Sequence, residues 1–257
     1  MRPNSAHAYN RLLVLKTVID YSYAHPPKWE VEKPATRWSD VERDEFNADC
    51  KALSDSTVAG LHKGHLWEFV SPEEEKFLLS YGLNMDTYAQ INASWRMEGA
   101  GMLMWALNII DKWPDIDAQM DPDLLECLPL SPGHKPRLRK LKELSEKCNI
   151  LWNWNWRSRT RRLIEEGRDL NPDAGMKRFG MFTHDDVIRK AAKEALEKHE
   201  IPEILDDDFV FRGKPFRFLS ADEYSEAASI IQERHFALNW LLGAAPDNLW
   251  DETITDT

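Results

Sequence analysis

Apolar residues recur at helical spacing along most of the chain. Repeats of three and four residues predict helices near residues 8–22, 40–62, 72–80, 85–112, 136–166, 183–199 and 221–242. Four of these segments begin with a hydroxyl residue followed three positions later by an acid, the signature of a capping box. These hydroxyl residues are Ser39, Ser71, Thr183 and Ser220. The pattern therefore predicts a mainly α fold of about seven helices.

The segment at residues 209–219 departs from helical spacing. Apolar and polar residues alternate there on both sides of Gly213 and Lys214. This alternation around a glycine-containing turn predicts a small β-hairpin, in which Pro215 suits an edge position.

Proline-rich stretches predict two loops, at residues 23–37 and 113–136. The second contains five prolines and many acidic residues. We interpret it as a long surface connection, because the helices on both sides carry apolar faces that need partners. The chain is accordingly predicted to form a single domain over residues 1–257.

Charge and composition narrow the classes of function. The 257-residue chain has a net charge of −11, which disfavours broad binding to nucleic acids or anionic membranes. Residues 134–168 are the exception, with eleven Lys/Arg against four Asp/Glu. The longest uncharged apolar stretch, residues 99–110, is too short to cross a bilayer. With no signal-peptide pattern and three scattered cysteines, we expect a cytoplasmic protein.

Charged and polar residues interrupt the apolar faces of two predicted helices. Arg96 and Glu98 open an otherwise apolar stretch, and Arg234 and His235 lie on a second apolar helix that also carries Asn239. A buried carboxylate needs a partner or must become neutral, so these positions require an explanation.

Two interpretations of these residues remain open. In the functional one, Glu98 and His235 act as acid and base while Arg96, Arg159 and Arg234 hold an anion. In the structural one, Glu98 pairs with an arginine such as Arg234, and His235 donates to a carbonyl or to Asn239. We favour the structural interpretation, because ion-pair networks inside proteins produce the same pattern.

A third segment combines tryptophans with arginines. On the basic helix of residues 137–168, Arg157 and Arg161 share a face with Trp154. This face could bind phosphates and stack a base. We favour instead a helix whose arginines face water and whose other tryptophans face the core. The predicted core tryptophans are Trp95, Trp105, Trp152, Trp156 and Trp240, with Trp154 facing outward.

No motif indicates a metal or cofactor. His62 and His65 are spaced to share a helix face, but no supporting carboxylate pattern follows them. Phosphate-binding glycine loops and the nucleophile motif of hydrolases are absent from the sequence. We therefore predict no metal site and no cofactor.

Four motifs together resemble a bacterial family, the domain of unknown function numbered 4272. The block R-H-x-A-L-N-W-L-x-G at residues 234–243 is the most specific of them, whereas the first seventy residues carry the resemblance poorly. The resemblance implies one domain and no mechanism. The motifs lie at residues 95–107, 156–159, 233–243 and 250–253.

Three hypotheses about function follow. The first is a non-enzymatic interaction protein, similar to an immunity or adaptor protein, that binds a bacterial partner such as a basic toxin. Acidity, abundant tryptophan and the lack of a catalytic motif favour it. The second is an enzyme acting on an anionic small molecule through Glu98, His235 and the arginines. The third is nucleic-acid binding through residues 137–168.

Overall fold

The structure is a computed structural model that describes residues 2–128 and 136–255. It confirms a mainly helical fold, with 67% of residues in helices. No helix in this part of the chain has the length and apolar character needed to span a membrane. The α-helices are α1 Ser5–Ala24, α2 Lys28–Ala35, α3 Asp40–Lys63, α4 Pro72–Leu78, α5 Thr87–Ala106, α6 Leu141–Glu165, α7 Ala174–Arg178, α8 His184–Glu197 and α9 Ala221–Leu242.

The predicted capping boxes form, and they fix where four helices begin. At Ser39, Ser71 and Thr183 the hydroxyl accepts from the backbone N–H three residues on, and the acid there accepts from the cap's backbone N–H. Ser220 and Glu223 make the same reciprocal bonds. Each box satisfies backbone donors that a helix start leaves open.

Two helices fall in stretches that the sequence did not predict to be helical. One is α2, which lies within the predicted loop at residues 23–37; that prediction was wrong there. Pro27 precedes its first residue and Pro34 lies in its last turn, so the prolines bound the helix. The other is the short α7. Residues 129–135 of the second predicted loop lie outside the described residues.

The ends of α5 and α6 differ from their predicted positions. α5 stops at Ala106 rather than at 112, because Asn108 adopts a left-handed backbone with φ +57°. α6 starts at Leu141 rather than at 136. Ahead of it, the backbone N–H of Arg139 donates to the Ala106 carbonyl at 2.8 Å, and its side chain donates to the Trp105 carbonyl at 2.8 Å.

The described chain divides into two compact units. Unit 1 comprises Met1–Pro114, Met120–Arg139 and Phe236–Ile254, and unit 2 comprises Asp115–Gln119, Lys140–His235 and Thr255–Thr257. The single-domain expectation stays a prediction.

Helices α1 and α5 form the centre of unit 1. Residues 97–106 of α5 are buried on every side, as its continuous apolar sequence predicted. Gly101 permits this packing, because a Cβ there would overlap the side chain of Met120. Another buried contact is ionic. The Arg11 guanidinium of α1 forms a bidentate ion pair with the Glu74 carboxylate of α4 and lies 4.3 Å from the ring of Trp250.

Unit 2 contains the predicted hairpin as part of a three-stranded antiparallel sheet. The strands are β1 Ile204–Leu205, β2 Asp208–Phe211 and β3 Lys214–Pro215, in that order, with Phe211 opposite Lys214. The turn lies at Arg212 and Gly213, one residue earlier than predicted, because both adopt the left-handed conformation of a two-residue hairpin loop. β3 ends early in a 3₁₀ turn, and β1 was not predicted.

The face of α6 that packs inward is not the predicted one. Trp154 is only 1% exposed, whereas Trp152 is 44% exposed, so the predicted roles of these two tryptophans were wrong. Arg157 and Arg161 are buried rather than facing water. The sheet explains this arrangement. Arg157 donates to both carboxylate oxygens of Asp208 at 2.6 and 2.7 Å, and Arg161 donates to two carbonyls after β3.

Asp208 is therefore the residue that fixes α6 to the sheet. Its side chain is completely buried and also accepts the backbone N–H groups of Phe209 and Arg217. Burial alone would raise the pKa of Asp208, but the hydrogen bonds and charge of Arg157 outweigh it and hold the pKa below its ordinary value.

Replacing Asp208 should destabilise the fold strongly. Asp208→Asn leaves the Arg157 charge buried without its counter-ion, and we expect the free energy of unfolding to fall by about 3–5 kcal/mol. Chemical denaturation at neutral pH measures it. The control is Asp206→Asn, an exposed turn residue whose replacement should change stability by no more than about 0.5 kcal/mol. Equal effects of the two variants would contradict this role for Asp208.

Candidate functional site

Glu98 is engaged by the backbone of unit 1. It is 2% exposed, and its carboxylate accepts the backbone N–H of Met120 at 2.9 Å. Met120 follows the acidic stretch after α5, so Glu98 anchors the returning chain against the central helix. This contact supports a structural role. The predicted pairing of Glu98 with an arginine stays a prediction.

Arg234 has a comparable role in unit 2. It is fully buried, and its guanidinium donates to the carbonyls of Asp115 and Ala118 at 2.7 and 2.6 Å. A planar guanidinium with several donors suits two neighbouring carbonyls of an irregular segment. Arg234 therefore holds the turn at residues 115–118, in which the Ala118 N–H donates to the Asp115 carbonyl at 3.3 Å.

His235 and Arg159 lie near one another in unit 2. His235 is 1% exposed, and burial, followed by the nearby charge of Arg159, lowers its pKa to about 4. Arg159 donates to the carbonyl of Thr255 at 3.3 Å, and Asn155 donates to the same carbonyl at 3.1 Å. In unit 1, Asn239 donates to the carbonyl of Ile254 at 2.9 Å. Arg159, Asn155 and Asn239 thus each bond to the backbone of residues 254–255.

The lowered pKa of His235 predicts a pH dependence of stability. The unfolded histidine takes up a proton near pH 6.5 and the folded one only near pH 4, so stability is complete above pH 6.5 and is lost as the pH falls through this window. The expected loss is roughly 3 kcal/mol. His235→Gln should lose less between pH 6.5 and 4, as measured by denaturation at several pH values.

One half-buried histidine, one buried histidine and one exposed control complete this experiment. Burial also lowers the pKa of His7 and of His25. The free energy of unfolding of His235→Gln should therefore still fall somewhat as the pH is lowered. His199→Asn, at an exposed left-handed position, should behave as the wild type. If the stability of His235→Gln depends on pH as that of the wild type does, His235 is not the source of the pH dependence.

Arg96 differs from these residues because it lines a cleft. The cleft belongs to unit 1, lies between α4 and α5, and has a volume of about 540 Å³. The Arg96 guanidinium lies 5.5 Å from the ring of Phe236, an arrangement that orients its N–H groups. Neither Glu98 nor Asn239 is among the lining residues of this cleft.

Polar side chains lie on both sides of the cleft, among apolar ones such as Phe77 and Ala89. Glu73, Lys76 and Ser80 come from the α4 side, while Tyr88, Asn92 and Arg96 are spaced by one turn along α5. Tyr88 is 78% exposed. These neighbours of Arg96 were not predicted from the sequence, because each is an ordinary polar residue of a helix surface. The four-residue spacing of Tyr88, Asn92 and Arg96 places them on one face of α5, but it does not indicate that α4 lies opposite that face.

Carboxylates make up part of the cleft, and each has a partner. Glu74 pairs with Arg11, Glu73 lies 3.8 Å from Lys76, and Asp86 accepts the backbone N–H of Ala89 as the cap of α5.

Within the described residues, no cluster of three or more His, Cys, Asp or Glu could hold a metal ion. His62 stacks on Trp67 at 4.6 Å.

The two arginines proposed for nucleic-acid contact are engaged in the core. Arg157 pairs with Asp208, and Arg161 lies 4.3 Å from the ring of Tyr224 while bonding to two carbonyls. A nucleic-acid interface on α6 would therefore depend on other residues.

The fold and cleft define a mainly helical protein with a cleft of mixed polar and apolar lining between two helices. The model of the family described as Domain of unknown function (DUF4272) matches residues 46–182, more than half of the chain, so the protein belongs to this family. The match includes the cleft residues at 73–96 and the motifs at 95–107 and 156–159, while the blocks at 233–243 and 250–253 lie outside it. Searches of the curated proteins and of the solved structures found no match.

Proposed function

We propose that this protein is a non-enzymatic interaction protein, of the immunity or adaptor kind, that binds a basic protein partner at the cleft between α4 and α5. The observation that carries the proposal is Tyr88, an aromatic residue 78% exposed at a cleft of about 540 Å³. Tyrosine is enriched among residues that dominate binding energy, since it gives a large contact area and a polar tip.

The charge of the protein supports a basic partner. The net charge of −11 attracts cationic proteins at long range, which speeds encounter and disfavours acidic competitors. At the cleft itself, Glu73 is 71% exposed and Asp86 is exposed, so both can meet basic side chains of the partner.

A second candidate is the binding of an anionic small molecule in the same cleft, as an enzyme of unknown chemistry would require. The observation that favours it is Arg96, whose guanidinium faces an aromatic ring on one side and lines the cleft. Arginine held in this way suits carboxylates and phosphates.

Matched tyrosine variants test the interaction proposal. Wild type, Tyr88→Ala and Tyr23→Ala are used to capture proteins from a lysate of the source organism; Tyr23 is 62% exposed and is not a lining residue of the cleft. We expect one basic protein in stoichiometric amount with wild type and Tyr23→Ala. Tyr88→Ala should bind it at least tenfold more weakly, the loss typical of a dominant contact.

Two outcomes would count against the interaction proposal. One is the failure of the wild type to retain any stoichiometric partner, and the other is equal retention by the two tyrosine variants. Native mass spectrometry of the purified protein separates the second candidate. A small anion that is retained by Tyr23→Ala and lost in Arg96→Ala would favour it.

A further inference from the structure

The outer edge of α8 in unit 2 carries a regular row of charges. Asp186, Lys190, Glu194 and Lys198 follow one another at four-residue intervals, so they line one edge of the helix with alternating sign. Their side chains reach solvent; Lys190 is 41% and Glu194 is 51% exposed. The pair between these two residues spans 3.8 Å and is too exposed to contribute much within one chain.

A groove of mixed polar and apolar lining adjoins this row, and Lys190, Glu194 and Lys198 are among its lining residues. It lies between α6 and α8 and has a volume of about 280 Å³. On the α6 side it is lined by Trp152, which is 44% exposed, and by Trp156. On the α8 side the lining includes Ala191 and Ala195. Ala195 is buried, whereas Ala191 is half-buried and its small side chain lets another helix approach closely. Apolar area and charged row together form one continuous face.

The order of the charges determines in which orientation a second copy of α8 can pair with this face. Read along α8 the row is negative, positive, negative, positive, and read backwards it has the opposite sign at every position. A second copy lying antiparallel would therefore place Lys190 of each copy opposite Glu194 of the other, and Asp186 opposite Lys198. A parallel arrangement would oppose like charges, which is unfavourable. A two-fold axis across α8 produces the antiparallel arrangement directly.

We propose that the protein forms a two-fold dimer in which α8 pairs antiparallel with α8 of a second copy. Trp152 of α6 becomes buried in the interface, beside the four charge pairs that surround the two-fold axis. Aromatic residues are enriched in interfaces, and complementary charges fix register and orientation. The proposal concerns unit 2 and is independent of the cleft in unit 1.

Charge exchange between Lys190 and Glu194 tests the dimer. Asp186 is left unchanged because it also belongs to the cap of α8. In Lys190→Glu or Glu194→Lys alone, two of the four contacts become repulsive. The double variant restores all four, and a mixture of the two single variants makes all four attractive. Sedimentation equilibrium over a wide concentration range measures self-association, and circular dichroism checks that each variant is folded.

The expected pattern is specific to this geometry. Wild type and the double variant should dimerise, each single variant should dimerise at least tenfold more weakly, and the mixed singles should form a heterodimer. Trp152→Ala should also weaken the wild-type dimer. A wild type that is monomeric at every concentration would overturn the proposal. So would single variants that dimerise as the wild type does, or a mixture that forms no heterodimer.

Discussion

Buried arginines must find acceptors, and this requirement organises both units of the protein. Arg11 in unit 1 and Arg157 in unit 2 are each 1% exposed, and each meets a carboxylate from a distant part of the chain. Arg234 instead meets two backbone carbonyls. An unpaired charge at any of these places would cost several kcal/mol, so the segments that supply the acceptors are held where they are. The packing of loops and of the sheet follows from these pairs.

The helix starts that carry a capping box were predictable from the sequence because their signals are local. A hydroxyl and an acid three residues apart determine a capping box, and the boxes at Ser39 and Thr183 form as predicted. The uniformly apolar stretch of α5 was likewise sufficient to predict a central helix. The predictions that failed concern side chains whose orientation depends on a residue distant in the sequence. Trp154 and Arg157 turn inward because Asp208, about fifty residues later, provides a carboxylate that no local pattern reveals.

The candidate site was predictable only in part, for the same reason. Arg96 stood out as a charge on an apolar helix, and it lines a cleft. Tyr88 and Glu73 reach that cleft from two different helices, so their proximity depends on how α4 packs against α5. Three residues of the sequence motifs, Glu98, Arg157 and Arg234, are accounted for by contacts within their own unit. Arg96 belongs to the same motifs but lines the cleft, so binding specificity is expected from Arg96 and the exposed Tyr88.

In each unit a buried arginine and a buried carboxylate are structural partners, Arg11 with Glu74 and Arg157 with Asp208. A double-mutant cycle on Arg11 and Glu74 tests this partnership most directly, with unfolding free energies measured for Arg11→Met, Glu74→Leu and the combined variant. We expect each single change to cost about 3–5 kcal/mol and the double variant to cost clearly less than their sum, because no unpaired charge is then left in the core. Costs that simply add would contradict the claim.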